Sequence, residues 1–246
     1  MLILVSNDDG FFSKGIQALA QALRKHADVW VVAPDREKSA ASHSLTLHRP
    51  LRVSKISKQV YAVDGTPTDC ITLGIYEILK RKPDLIVSGI NKGGNLGDDV
   101  HYSGTVSAAI EGAMAGVPSI AMSLVARERY MFAPAANFAV KLAKWVYRVG
   151  LPKGSVLNVN VPNVPENQIE GHAWTKLGKR NYGDIIDEKM DPRGRAYYWI
   201  GGDETGYDDI LGSDCNAILE NKVSITPLQV DMTHHALLKK LKGTRL

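Results

Sequence analysis

The chain has 246 residues, enough for one large domain with an extension and short of a secure two-domain length. With 44% hydrophobic and 23% charged residues it is neither a disordered nor a collagen-like chain. A net charge of +4 with scattered Lys and Arg argues against binding a nucleic-acid polymer. Lys176, Lys179 and Arg180, the nearest thing to a basic cluster, read as cover for a solvated loop. Cys70 and Cys215 are too few for a disulfide framework or a four-thiolate zinc site and fit a reducing compartment. Leu2–Val5 is too short for a secretory apolar segment, and no run approaches the roughly eighteen apolar residues of a membrane span. The expectation is a cytoplasmic protein with no membrane partner.

In chain order, Leu2–Val5 reads as a buried strand. Ile16, Leu19, Ala20 and Leu23 then repeat at i, i+3, i+4, i+7, the stripe of an amphipathic helix. Val29–Val32 is a second strand closed by Ala33-Pro34. Thr66-Pro67-Thr68-Asp69 starts a helix, with Thr66 as cap and Pro67 in the first turn. Leu85–Val87 is a strand and Thr105–Ala115 a helix of small residues able to lie close on a sheet. Ile120–Leu124, Val156–Val161 and Val223–Thr226 are further strands, and a terminal helix is expected around Ala236–Leu241. This alternation predicts a single α/β domain over 1–246 with a doubly wound, mostly parallel sheet. Trp174, Tyr182, Tyr197, Tyr198 and Trp199, punctuated by Gly194, Gly201 and Gly202, mark a hairpin-like extension over about 170–222, followed by a tail over 229–246. The aromatics read as hairpin packing or a subunit contact ahead of ligand stacking.

Ligands of open α/β sheets sit beyond the carboxyl ends of the strands. The first strand is followed by Asn7-Asp8-Asp9-Gly10, the second by Ala33 to Ser39, and the Leu85–Val87 strand by Ser88-Gly89-Ile90-Asn91, then Asn95 and Tyr102-Ser103-Gly104-Thr105. Adjacent carboxylates repel each other, a conflict that a divalent cation removes. The Ser39 hydroxyl and Asn91 amide are neutral hard oxygens of the kind Mg²⁺ or Mn²⁺ accepts. An isolated Asp-Asp also serves simply to cap the helix that follows, and Asp98-Asp99 shows how common the dipeptide is; that second pair reads as solvated or loop-bracing. Ser103-Gly104-Thr105 opens a helix, where free N–H groups and the helix dipole favour an anion, here a phosphate beside the metal. His101 is retained as a candidate at the edge of the site. The chain has neither a G-x-G-x-x-G turn, a Walker A sequence, a G-x-S-x-G elbow nor an H-E-x-x-H pair; the lysine inside Gly89–Gly94 has the wrong spacing for a phosphate loop.

Asn7-Asp8-Asp9-Gly10 with Gly15, Ala33-Pro34-Asp35 to Ser39, Ser44–Leu47, Gly65–Cys70, Ser88–Asn91 to Asn95, and Tyr102–Val106 with Glu111-Gly112 together resemble the SurE survival-protein family of 5'/3'-nucleotidases. Asn158–Pro162, Asp191–Gly194, Tyr198–Gly201 and Val223–Leu228 extend the resemblance to residue 228. It implies a Rossmann-like fold with a C-terminal hairpin and helical tail. It also implies one divalent ion per subunit (Mg²⁺ or Mn²⁺, with Co²⁺ a third option) on Asp8, Asp9, Ser39 and Asn91, and phosphate contacts at Asn95, Ser103, Gly104 and Thr105. The implied reaction is hydrolysis of nucleoside 5'- and 3'-monophosphates, and in some members of short polyphosphate, by a homodimer or homotetramer. Asp8 and Asp9 are the expected catalytic residues, Asp8 as the candidate for orienting or deprotonating water and Asp9 as the main charge anchor. Glu220-Asn221-Lys222 stands where the family has a Gly-Tyr pair. Two rivals share these features: a nucleotide sensor without turnover, and a glycosyltransferase, for which the D-x-D sequence is missing.

Overall fold

The computed structural model describes residues 1–182, 186–200 and 204–244. In chain order it contains β1 (Leu2–Ser6), α1 (Lys14–Arg24), β2 (Asp28–Pro34), β3 (Val53–Ser57), β4 (Val60–Val63), α2 (Pro67–Leu73), β5 (Leu85–Lys92), α3 (Gly104–Met114), β6 (Ser119–Val125), α4 (Phe132–Val149) and β7 (Ser155–Pro162). The C-terminal third adds β8 (His172–Trp174), β9 (Arg180–Tyr182), β10 (Ile186–Met190), β11 (Ala196–Ile200), β12 (Glu204–Tyr207), α5 (Asp214–Leu219), β13 (Val223–Gln229) and α6 (His235–Leu241).

The central sheet runs β3-β4-β2-β1-β5-β6-β7-β13-β8. Its six strands from β4 to β7 are parallel, while β3 and β13 pair antiparallel with their inner neighbours. Counted along the chain, the parallel strands have the 3-2-1-4-5-6 order of a Rossmann-type sheet, reversing direction between β1 and β5. Burial on both faces explains the unbroken apolar run of β1. Ile3 and Val5 join a core with Ile16, Leu19 and Leu23 of α1 and Ala135, Ala139 and Leu142 of α4. Leu4 points the other way, into Cys70, Ile71 and Ala108 of α2 and α3. The doubly wound α/β expectation is thus met. Thr66 caps α2 as expected: its side chain accepts from the Asp69 N–H while Asp69 accepts from the Thr66 N–H.

Several elements depart from the sequence reading. The β5 strand does not end at Val87 but runs to Lys92, with a register shift between Ser88 and Asn91, so Asn91 lies in the strand itself. The region 132–149, assigned no element, is the longest helix, α4. The β3 strand is exposed at every position, and nothing in its sequence alternates. At the C-terminal end β13 and β8 complete the main sheet, so Trp174, expected in the hairpin-like extension, lies on β8 and packs against Trp145 (ring centroids 5.6 Å apart). Two ribbons, β10–β11 and β9–β12, stand apart from that sheet. Gly201 and Gly202 lie outside the described residues, as does the side chain of Tyr182. Asn221 follows α5 in the left-handed conformation (φ 53°). The α6 helix forms about where expected but buries no residue.

Gly15 sets how closely α1 approaches β5. A Cβ built there would sit 2.0 Å from the Ile90 carbonyl oxygen. Gly15→Ala should therefore cost about 1–3 kcal/mol, less the helix preference Ala contributes, and lower the melting temperature. An unchanged thermal melt would show that α1 and β5 have room to part.

Candidate functional site

The β1 strand delivers Asn7, Asp8 and Asp9 to the point where the sheet reverses. The Asn7 amide donates to the Gly10 carbonyl (3.0 Å) and to Ser13 Oγ (2.9 Å), closing the turn, and Gly10 takes φ +94°, a region open to glycine. The Lys38 N–H donates to the Asp8 carbonyl at 2.8 Å, tying the segment after β2 to the same turn. Asp8 then lies against the start of α3. Thr105 Oγ1 donates to Asp8 Oδ1 at 2.5 Å, and a Cβ at Gly104 would fall 2.8 Å from Asp8 Cβ. The carboxylate of Asp8 itself is therefore an anion at the positive end of α3.

Asp8, Asp9, Ser39, Asn91, Asn95 and Ser103 line one open cavity of about 470 Å³, together with Glu37, Lys92, Asp99, Tyr102 and Tyr130. Six of the eight expected site residues thus meet. Gly104 and Thr105 stand behind Asp8: the Thr105 side chain is fully buried with its hydroxyl on Asp8, and the space left by Gly104 admits Asp8. Both were expected at phosphate, and the geometry gives both a structural task first. His101 ends a short 3₁₀ turn, exposed and outside the cavity lining. Asp98 and Asp99 in that turn brace it as expected: Asp98 meets Lys179 at 2.7 Å, and Asp99 pairs with Arg180. Lys179 and Arg180 are thus engaged in ion pairs, not merely laid over a solvated loop.

The remaining donors are oriented by their neighbours. Ser39 Oγ donates to Glu37 Oε1 at 2.6 Å, leaving the hydroxyl lone pairs for another partner. The Asn91 amide nitrogen donates to the Gly93 carbonyl at 3.0 Å, which reserves its amide oxygen in the same way. Ser103 caps α3, accepting from the Val106 N–H at 3.1 Å while keeping its own proton to give. Asn95 is locked from below: its N–H donates to Asn160 Oδ1 (2.8 Å), its carbonyl accepts from Asn158 and Asn160, and its amide donates to Ser123 Oγ.

Charge is the unresolved element of this arrangement. Burial pushes the Asp8 carboxyl up from 3.8 to about 6, against the opposing Thr105 hydrogen bond and with help from Asp9. Burial also raises Asp9, opposed by Lys92, whose Nζ stands 3.6 Å from Asp9 Oδ1. Asp9 Oδ2 is buried without a hydrogen-bond partner. An orphaned carboxylate oxygen beside a second desolvated acid, a hydroxyl and an amide oxygen fits a hard divalent cation. Among the described residues no three His, Cys, Asp or Glu side chains group as metal ligands, so any such centre depends on the neutral oxygens.

A family model described as Survival protein SurE matches residues 3–184. The chain belongs to the SurE family. A protein named 5'-nucleotidase SurE from Geotalea uraniireducens is 53% identical over 243 residues, covering 98% of each chain. Another of that name, from Pelobacter propionicus, is 55% identical and is matched over 97% of both chains. The crystal structure of the Sure protein from Aquifex aeolicus agrees with a TM-score of 0.90 at 46% identity over 98% of each chain. The SurE resemblance read from the motifs is correct.

Within this SurE site Glu37, Lys92, Asn158 and Asn160 have no role in the sequence reading, which sets Lys92 aside as wrongly spaced for a phosphate loop. The two asparagines carried a signal: two amides, two residues apart inside an apolar strand, require partners. Glu37 carried none, since its task is to turn the Ser39 hydroxyl.

Stability should report the buried charge of Asp8. The folded chain holds its proton up to about pH 6 and the unfolded chain only to about 3.8, so the folded state is favoured below pH 4 and loses that advantage as pH rises through 6. Metal-stripped Asp8→Asn should melt above wild type at pH 7, with the gap closing near pH 4. A gap independent of pH would show that Asp8 is not strained by burial.

Proposed function

We propose that the chain is a divalent-metal-dependent phosphomonoesterase that hydrolyses nucleoside 5'- and 3'-monophosphates to nucleoside and phosphate, with short polyphosphate as a further substrate. The observation that carries the reading is the buried Asp8–Asp9 pair with its orphaned Asp9 Oδ2, facing a cavity that Ser103 and Asn95 also line. The name 5'-nucleotidase SurE borne by near-full-length relatives supports the substrate class. Asp8, Asp9, Ser39 and Asn91 would hold one Mg²⁺ or Mn²⁺, with Co²⁺ as a substitute, through oxygen donors alone. Bound there, the ion supplies Lewis acidity, drawing charge from a phosphoryl oxygen and acidifying water.

The chain's own groups do the rest. Asp8, with one carboxylate oxygen fixed by the Thr105 hydroxyl, takes the proton of the attacking water. Asp9 is the charge anchor. The Ser103 hydroxyl, the Gly104 N–H and Asn95 hold the non-bridging oxygens as charge spreads in the transition state. Thr105, at phosphate by resemblance, acts mainly through Asp8. Free, buried Cys70 and Cys215 suit a reducing cytoplasm, and among the described residues no helix is long and apolar enough to cross a membrane. Self-association into a dimer or tetramer would cover the exposed Tyr197, Tyr198 and Trp199 of the β10–β11 ribbon and the Leu237, Leu238 and Leu241 face of α6.

Phosphate release should be detected from nucleoside 5'- and 3'-monophosphates with added Mg²⁺, Mn²⁺ or Co²⁺. Asp8→Asn should lower turnover on the order of 10³-fold. Absence of release with every ion would favour a nucleotide sensor, and an Asp8→Asn enzyme within about tenfold of wild type would remove Asp8 from the chemistry.

A further inference from the structure

The cavity is rich in negative charge for a site meant to receive a dianion. Asp8, Asp9, Glu37 and Asp99 line it, and Lys92 is the one Lys or Arg among its described lining residues. Asp99 is offset by Arg180 from outside that lining, whereas Asp8 and Asp9 have no such external counter-charge in their contacts. The Lys92 ammonium sits 3.6 Å from Asp9 Oδ1, beyond a close hydrogen bond, and its side chain is 38% exposed. It stands at the end of β5, immediately after Asn91, and lines the same cavity as Asp9 on a flexible four-carbon stem.

We propose that Lys92 serves two anions in turn: it neutralises Asp9 while the cation is absent, and on cation binding it is released from Asp9 to hold the phosphate of the incoming substrate. This rests on the phosphomonoesterase reading. A divalent ion at the free Asp9 oxygen repels the neighbouring ammonium and takes over the neutralisation of Asp9. With two aspartates balanced by the ion, a phosphate dianion still lacks a positive partner beyond hydrogen-bond donors. Lys92 is the side chain within the lining that supplies one. The same residue therefore opposes cation binding and promotes anion binding, a pairing of signs that a purely structural lysine would not produce.

Calorimetry on the full chain separates the two effects. In Lys92→Gln, Mn²⁺ should bind the substrate-free protein about three- to fivefold more tightly, because its competitor at Asp9 is gone. Inorganic phosphate should bind the Mn²⁺-loaded variant roughly tenfold more weakly, through loss of a charged hydrogen bond. Lys92→Arg, which keeps the charge, should retain the wild-type order of both affinities. Unchanged or weakened Mn²⁺ binding in Lys92→Gln, or unchanged phosphate binding, overturns the role of Lys92. Weakening of both ligands in both variants overturns it too, in favour of a structural part. Failure of the wild-type chain to take up any of Mg²⁺, Mn²⁺ and Co²⁺ rejects the metal-dependent phosphomonoesterase reading itself, and this inference with it.

Discussion

Two adjacent carboxylates, withdrawn from water at the end of a central strand, are the constraint around which this molecule is arranged. The chain places them where β1 and β5 part and then compensates one of them with the start of α3. That compensation needs Gly104 to leave space, Thr105 to donate, and Ser103 to cap the turn, so three consecutive residues are committed to supporting Asp8 as much as to any ligand. Asp9 receives less: a lysine at 3.6 Å and one oxygen with no partner. The asymmetry between the two acids follows from what surrounds each, and it suits them to different tasks.

Around that pair the supporting contacts come from distant parts of the chain. Glu37 orients Ser39 from the segment after β2, and Asn158 and Asn160 reach across from β7 to hold Asn95. The segment between β2 and β3 is itself pinned down: Thr46 N–H donates to Asp69, Thr66 donates to the Ser44 carbonyl, and His43 meets Glu111 of α3. The site is thus held by hydrogen bonds of side chains to backbone and to other side chains, the means by which a loop-built site can be held to hydrogen-bond tolerance.

Much of this was readable beforehand where a residue type carries a strong local signal. Buried β-branched runs marked the parallel strands, and Thr66-Pro67 with Asp69 marked a capped helix. The convergence of Asp8, Asp9 and Ser39 followed from the rule of strand ends, whereas Asn91 joins them from within β5. The helix α4 was overlooked although Phe132, Ala135, Ala136, Ala139, Leu142, Ala143 and Val146 fall on one buried stripe. Alanine contributes little apolar contrast, and Pro134 in the first turn resembles an interruption. The exposed β3 offered no alternation to detect, because its place is decided by pairing with β4 alone. Thr105 was assigned to phosphate because a hydroxyl at a helix start looks the same whether its acceptor is a ligand or an aspartate from another strand; only the tertiary fold distinguishes them.

The pairing of Asp99 with Arg180 has a consequence of another kind. Asp99 lines the cavity, but the guanidinium that offsets it belongs to β9, eighty-one positions further along the chain and on a ribbon apart from the main sheet. The electrostatic climate met by an arriving anion is therefore set partly by a peripheral arm. Withdraw that arm, and the charge balance at the threshold shifts with no change to any ligand-bearing residue.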